Sequence, residues 1–447
     1  MDPLLLAAVA IGAVLVLLAL RVPIAFCLGT VSALGLITFF SWRPGGAFDL
    51  ERGIEPALTL IGSAAYSFVH SYPLSMIPLF IGLGHVAYHG GITTDLYRAL
   101  RIWLGRLPGG LAMASVMGCA GFSAITGSSV ACAAAMGRIT VPEMLRYNYS
   151  PRLASGAVAA GGTLGSLIPP SLLFVIYAIF TEQSVKVLFL AGILPGILSL
   201  AGYLITIAVW TWRRPEDAPK PDTTFTPGDV REAVAGTWPT VVLLAVVIGG
   251  IYLGVFTPTE AAAVSFVIAV ILGFARGRLT MASLVEAARD TVVQTTMIFL
   301  IALGAKVFTT FVSLTRVTPA VLDWLQSVDA PTVMVVAGLV VFYLVLGMFL
   351  DSIGILVLTL PFTVPLVTGY GLDLVWFGVI VIKLLEIGLI TPPIGLNVFV
   401  IKSVTPSSVT LGQIFRGVSW FLLLDGVVLL LLLAVPALSL FIPGTVD

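Results

Sequence analysis

The feature that most constrains this chain is its series of apolar runs, each about 20 residues long and nearly free of charge. A run of that length crosses a hydrocarbon core about 30 Å thick as an α-helix. Lipid offers no partner for a bare N–H or C=O, so only helices or closed barrels can span it. The runs do not alternate as barrel strands do. Of the 447 residues, 59% are hydrophobic and only 10% charged, where a soluble domain carries about 25% charge. The expected class is an all-α polytopic membrane protein. A net charge of zero gives nothing to attract nucleic acid. The first run, Leu4 to Leu20, has no basic n-region before it and is expected to remain as the first helix. Cys27, Cys119 and Cys132 lie in apolar stretches without metal-ligand spacing and read as small buried hydrophobes.

Two of these runs are broken in the same way. Pro169-Pro170 interrupts GTLGSLIPPS, and Pro392-Pro393 interrupts EIGLITPPIGLN. Each proline lacks an N–H and clashes with the turn before it. Shifting the first half by 223 residues lays these pairs on each other. It also lays Gly165 on Gly388, Pro142 on Pro365, and Ser128-Ser129 on Asp351-Ser352. The chain therefore reads as an internal duplication: 1–212, a linker over 213–237, and 238–447. Within the linker, Arg213 to Glu232 holds nine charged residues and four prolines.

Lys and Arg in short loops set orientation. The stretch 108–147 is flanked by Arg98, Arg101 and Arg106 before it, and by Arg138, Arg146 and Arg152 at its far end. It reads as a re-entrant hairpin entering from the cytoplasm and turning at Ser128. Its counterpart, about 331–368, is flanked by Asp323, Asp329 and Asp373 and turns near Asp351. Crossings are expected at about 3–20, 22–40, 72–92, 153–181 and 186–212. The second set is expected at about 238–256, 259–275, 290–312, 373–401 and 416–442. The segment 56–70 reads as broken or interfacial. Five crossings per half invert the repeats, with both termini outside and the linker cytoplasmic.

Non-helical backbone at membrane depth is tolerated only inside protein or along a cavity. An unwound stretch exposes carbonyls that suit a hard cation such as Na⁺, and its half-helix ends suit anions. One expected oxygen cage joins Gly127, Ser128 and Ser129 to Gly165 and Pro169. The other joins Asp351 and Ser352 to Gly388, Thr391 and Pro392. Ser171 and Asn397, just after the breaks, are candidate substrate contacts. Asp351 is the most informative charge, because an intramembrane carboxylate marks an ion or proton site. Lys383 and Glu386, three apart on a helix, read as a structural pair. Thr257 to Glu260 reads as a capping box, and Asp425 finds no role. Enzyme motifs are weak: His85 and His89 lack the glutamate of a zinc-protease helix, Ser123 in GFSA lacks a histidine partner, and no phosphate loop is present.

The stretches IPLF, GRLPGGLA, GSSVA, IPPS, LFLAGILPG, FTPTEAAA, GMFLD and GLITPPIGLN run along nearly the whole chain. In them the sequence resembles the large membrane subunit of tripartite ATP-independent periplasmic (TRAP) transporters. The resemblance implies an inverted-repeat, elevator-type fold in the bacterial or archaeal cytoplasmic membrane. It implies sodium coupling and import of an organic acid anion. It also implies two partners: a small four-helix membrane subunit and a periplasmic substrate-binding protein. Cys132 stands where many relatives place Asp. A stand-alone sodium- or proton-coupled anion transporter is the alternative.

Overall fold

A computed structural model describes residues 2–42, 47–219 and 226–445. The regular structure among them is helical. Among the described residues seven helices are long and apolar enough to cross a membrane, from Ile24–Ser41 to Leu411–Ala434, and shorter apolar helices accompany them.

The two halves share one succession of elements. In the first, Ile92–Leu104 leads into a hairpin of Gly110–Thr126 and Ser129–Arg146. Then come Pro151–Thr163, a 3-10 turn at Leu164–Ser166, Leu172–Thr181 and Val185–Arg213. In the second, Val317–Ser327 precedes a hairpin of Thr332–Gly347 and Ser352–Gly369. Leu374–Ile390, Leu396–Val404 and Leu411–Ala434 follow. A shift of 223 residues lays Ser129–Arg146 on Ser352–Gly369. Both proline pairs, 169-170 and 392-393, sit between half-helices and are cis.

Side chains that start helices recur at the same places. Ser128 and Asp351 cap the returning hairpin arms, and Ser150 and Asp373 cap the broken crossings. Each offers an oxygen to an N–H that the first turn leaves free. The Thr257–Glu260 capping box is present as expected, with Glu260 accepting from the Thr257 N–H at 2.8 Å.

The halves interlock. The returning arm of hairpin one packs on Leu396–Val404, and that of hairpin two on Leu172–Thr181. Each tip thus stands by its own break while its arm leans on the other half's distal half-helix. The remaining helices, Pro3–Ala19, Ile24–Ser41, Leu50–Val69, Met76–His89, Pro258–Ala275 and Met281–Thr315, pack mainly among themselves.

Several boundaries differ from expectation. Ile92–Leu104 and Val317–Ser327 are helices that hydropathy runs do not reveal. They are short, and the first mixes charge with apolar residues, so only its periodicity marks it. The segment near 56–70, expected to be broken or interfacial, is one unbroken helix, Leu50–Val69, capped by Asp49; the chain bends after it, at the 3-10 turn Tyr72–Ser75. The crossing expected from 238 begins at Pro227, where Thr226 and Asp229 form a capping box. This shortens the linker, whose residues 220–225 lie outside the described residues, as does the terminus at Asp447. Met281–Thr315 has 35 residues and starts nine before the expected crossing. At 1.5 Å per residue it is about 52 Å long, more than a hydrocarbon core requires.

Candidate functional site

The first tip is built against the first break. Gly127 ends the outgoing arm at φ +63°, a left-handed conformation that glycine adopts without penalty. A Cβ there would lie 2.5 Å from the Pro170 carbonyl oxygen, and one on Gly165 would lie 2.9 Å from the Ser129 nitrogen. The tip and the unwound segment therefore touch backbone to backbone. The Gly127 carbonyl accepts from the Leu172 N–H at 3.2 Å. Ser129 Oγ lies 2.6 Å from Ser166 Oγ and donates to the Thr163 carbonyl at 3.2 Å. Among the described residues, no backbone N–H reaches the carbonyls of Ile168, Pro169 or Pro170. The stretch 161–177 is buried apart from a half-buried Ile168.

The second tip and break are more open. Gly347 of hairpin two packs on Gly388, with a Cβ on Gly388 only 2.7 Å from the Gly347 Cα. Asp351 is half-buried and accepts from the Gly354 N–H at 2.8 Å. Thr391 Oγ1 donates to the Ile387 carbonyl at 2.6 Å. Pro392, Pro393 and Ile394 are exposed. Among the described residues no hydrogen bond joins Asp351 or Ser352 to Thr391, and no backbone N–H reaches the carbonyls of Thr391 to Ile394.

The first set of site residues, Gly127, Ser128, Ser129, Gly165 and Pro169, is thus gathered around one contact. In the second set Gly388 is held against hairpin two, while Asp351 and Ser352 stand at the tip without a direct link to Thr391 or Pro392. Ser171 is buried and caps Leu172–Thr181, its hydroxyl donating to the Ser166 carbonyl. Asn397 is also fully buried; its amide donates to the Ala159 carbonyl at 3.4 Å, tying the two broken crossings together, and its Oδ1 has no partner among the described residues.

Charges that sequence left separate meet in the interior. Lys383 Nζ donates to Glu386 at 3.0 Å, to Asp425 at 2.7 Å and to Ser199 at 3.0 Å. The expected Lys383–Glu386 pair is present, and Asp425, without a role in the sequence, completes it. Nothing local signals this, because Asp425 and Ser199 lie 42 and 184 residues from Lys383.

A cavity of about 240 Å³ opens beside the first tip. Its wall includes Ser128, Thr126 and Arg138 from hairpin one, His85 from Met76–His89, and Asp290 and Gln294 from Met281–Thr315. His85 Nε2 lies 3.2 Å from Gln294 Oε1. His85 thus lines a cavity next to the tip. Ser123 of GFSA is buried without a partner. Cys132 is buried, and its thiol donates to the Cys119 carbonyl at 3.5 Å.

The family described as "Tripartite ATP-independent periplasmic transporter, DctM component" matches residues 11–438. The C4-dicarboxylate TRAP transporter large permease protein DctM of Pseudomonas aeruginosa is 32% identical over 374 residues, covering 83% of this chain and 86% of that one. The sialic acid TRAP transporter large permease protein SiaM of Vibrio cholerae is 31% identical, covering 84% and 87%. Among solved structures, the YdaH transporter of Alcanivorax borkumensis aligns over 94% of this chain and 96% of its own, with a TM-score of 0.63 at 14% identity. That likeness concerns the fold.

Proposed function

Because the chain belongs to the DctM family of TRAP transporter large permeases, we propose that it is the permease subunit of a sodium-coupled importer of an organic acid anion. The observation that carries this reading is the duplicated meeting of a hairpin tip with an unwound, proline-broken crossing. Such meetings, with backbone carbonyls free of N–H partners, are where membrane transporters hold ions and substrates.

The residues present fit a hard cation. Around the first tip they offer carbonyls of Ile168, Pro169 and Pro170 and hydroxyls of Ser128 and Ser129. Around the second they offer the Asp351 carboxylate, the Ser352 and Thr391 hydroxyls and the carbonyls of Thr391 to Ile394. These are oxygen donors, the type hard cations select. Bound sodium supplies positive charge beside an anion, and its gradient supplies the driving force. The chain's own residues do the rest. Gly127 and Gly165 let the first tip seat on its break, and Gly347 and Gly388 do the same for the second. Arg138 shares the wall of the cavity at the first tip with Asp290 and Glu286, so the charge there is mixed and Arg138 is the one group of that wall, among the described residues, placed to attract an anion.

In this reading the hairpins and broken crossings move as one body against the remaining helices, in the cytoplasmic membrane with both termini outside. A small four-helix membrane subunit enlarges the fixed part, and a periplasmic binding protein delivers the anion. Relatives are named for C4-dicarboxylate and sialic acid, so carboxylate-bearing solutes are the substrates to try. The protein performs no chemistry on its cargo.

Reconstitution tests this. Liposomes holding this chain and its small subunit should show little uptake until the loaded binding protein is added, and then uptake that requires an inward sodium gradient. Robust saturable uptake by the chain alone would support the stand-alone alternative, and full activity driven by a pH gradient without sodium would replace the coupling ion. For orientation, cysteines placed in 213–219 should react only from the cytoplasmic side and one at Thr445 only from outside. Reaction of both from one side would remove the inverted arrangement.

A further inference from the structure

Thr163 and Glu386 hold the same place in the two halves, 223 residues apart, each two residues before the glycine at its break. One line of buried hydrogen bonds joins them. The Thr163 hydroxyl has one proton to share between the Ala160 carbonyl, at 2.7 Å, and the Tyr203 hydroxyl, at 3.2 Å, and Tyr203 in turn donates to Asp425 at 2.9 Å. Asp425 accepts from Lys383 Nζ at 2.7 Å, and Lys383 donates to Glu386 at 3.0 Å. All five side chains are 0% exposed. At the first end the line reaches the hairpin tip, because Ser129 Oγ donates to the Thr163 carbonyl. At the second end Glu386 Oε1 has no partner among the described residues, close to where Gly388 meets hairpin two.

Duplication does not account for this line. Lys383 stands where the first half has Ala160, Asp425 where it has Gly202, and Glu386 where it has Thr163. Stability alone does not require it either, since buried ion pairs are often replaced by apolar residues without loss. Its geometry suits transmission. An ammonium has three N–H donors, and all three of Lys383 are committed, to Ser199, Glu386 and Asp425. A shift of Glu386 must therefore pull Lys383, then Asp425, then the Tyr203 hydroxyl that meets Thr163.

We propose that this line couples the two breaks, so that the geometry of one sets that of the other, with Lys383, Asp425 and Tyr203 as positioning residues. Where the coupling concerns ion occupancy it rests on the sodium reading above. Coupling between sites is reciprocal, and a line of contacts becomes a coupling only when perturbation at one end is felt at the other.

Tyr203→Phe cuts the line by removing one hydroxyl and keeping the ring. Backbone hydrogen exchange of the full transporter complex in nanodiscs reads both breaks. In the otherwise unmodified protein, Glu386→Gln should speed exchange several-fold in 164–171 as well as in 387–395. In the Tyr203→Phe background the effect on 164–171 should vanish and that on 387–395 persist. An effect of Glu386→Gln confined to 387–395, or one on 164–171 that survives Tyr203→Phe, would overturn the coupling. Should Glu386→Gln fail to fold, Thr163→Val read at 387–395 measures the same term from the other end. A sodium titration of uptake then separates the two ideas. The unmodified protein should respond with a Hill slope near 2, and Tyr203→Phe with a slope near 1; an unchanged slope overturns the coupling of occupancy. No sodium response in the unmodified protein overturns the ion reading, and the exchange experiment alone then decides the coupling.

Discussion

The two tip-and-break pairs share a backbone and differ in almost everything else. In the first, the tip is pressed on the Pro170 carbonyl and Ser129 is tied to Ser166 and Thr163 inside the protein. In the second, Pro392, Pro393 and Ile394 face outward, and the tip offers a carboxylate, Asp351, where the first offers the Ser128 hydroxyl. Neutral oxygens fixed by packing suffice for a cation where most of them are buried, as at the first break, although Ser128 borders a cavity. A more exposed cradle gains from a formal charge. The two tips thus share one backbone arrangement and differ in the side chains they present.

The exposure difference gives the largest expected effect. Ile394 and Ser171 are equivalent positions, 38% and 1% exposed. Against a background of three buried cysteines, Ile394→Cys should react with a polar maleimide at least about a hundredfold faster than Ser171→Cys, since modification of the buried site requires local opening. Equal rates would erase the contrast between a closed and an open break.

Seating comes next. Gly127→Ala forces a side chain into the left-handed region, which costs about 1–2 kcal/mol, and places a Cβ 2.5 Å from the Pro170 oxygen. Uptake should fall by more than about tenfold, the equivalent of about 1.4 kcal/mol. Leu350→Ala, at the equivalent place on the open tip, should change uptake by less than about threefold, as a substitution away from a strained contact. Similar losses at both would show that the two tips seat alike.

Charge is third. Asp351→Asn should raise the sodium concentration for half-maximal uptake about tenfold, while Ser128→Ala should raise it about two- to threefold, as loss of one neutral oxygen costs less than loss of a charged one. The order reversed would place the main dependence on the closed cradle.

The smallest effect concerns salt. Uptake at fixed sodium should weaken modestly as an inert electrolyte such as choline chloride is raised, through the partly exposed second tip, because screening acts mainly on exposed charge. Asp351→Asn should abolish that dependence. Its persistence in the variant would move the screened charge elsewhere, for example to Arg138 on the cavity wall.

Much of this was written in the sequence. Runs of about 20 apolar residues leave a chain no spanning option but helix or closed barrel. Pro169-Pro170 and Pro392-Pro393 must interrupt such helices because each ring removes an N–H and its carbonyl partner. Ser128, Ser150, Asp351 and Asp373 mark helix starts through a bond to an N–H three residues on, which is local chemistry. The 223-residue shift told that both halves repeat it. Short helices such as Ile92–Leu104 were hidden, because a face half charged and half apolar leaves no run to notice.

What only the tertiary structure decided is which distant groups meet. Asp425 had no role until Leu411–Ala434 packed beside Leu374–Ile390 and brought it 2.7 Å from Lys383. His85 and Gln294, 209 residues apart, share a cavity wall because Met76–His89 lies on Met281–Thr315. That one break is closed and the other open is likewise invisible in two nearly matching motifs. Helix formation and helix breaking are set by bonds within a few residues, so sequence contains them. Burial and side-chain partnership are set by packing between segments far apart in the chain, and that information exists only once the helices are in place.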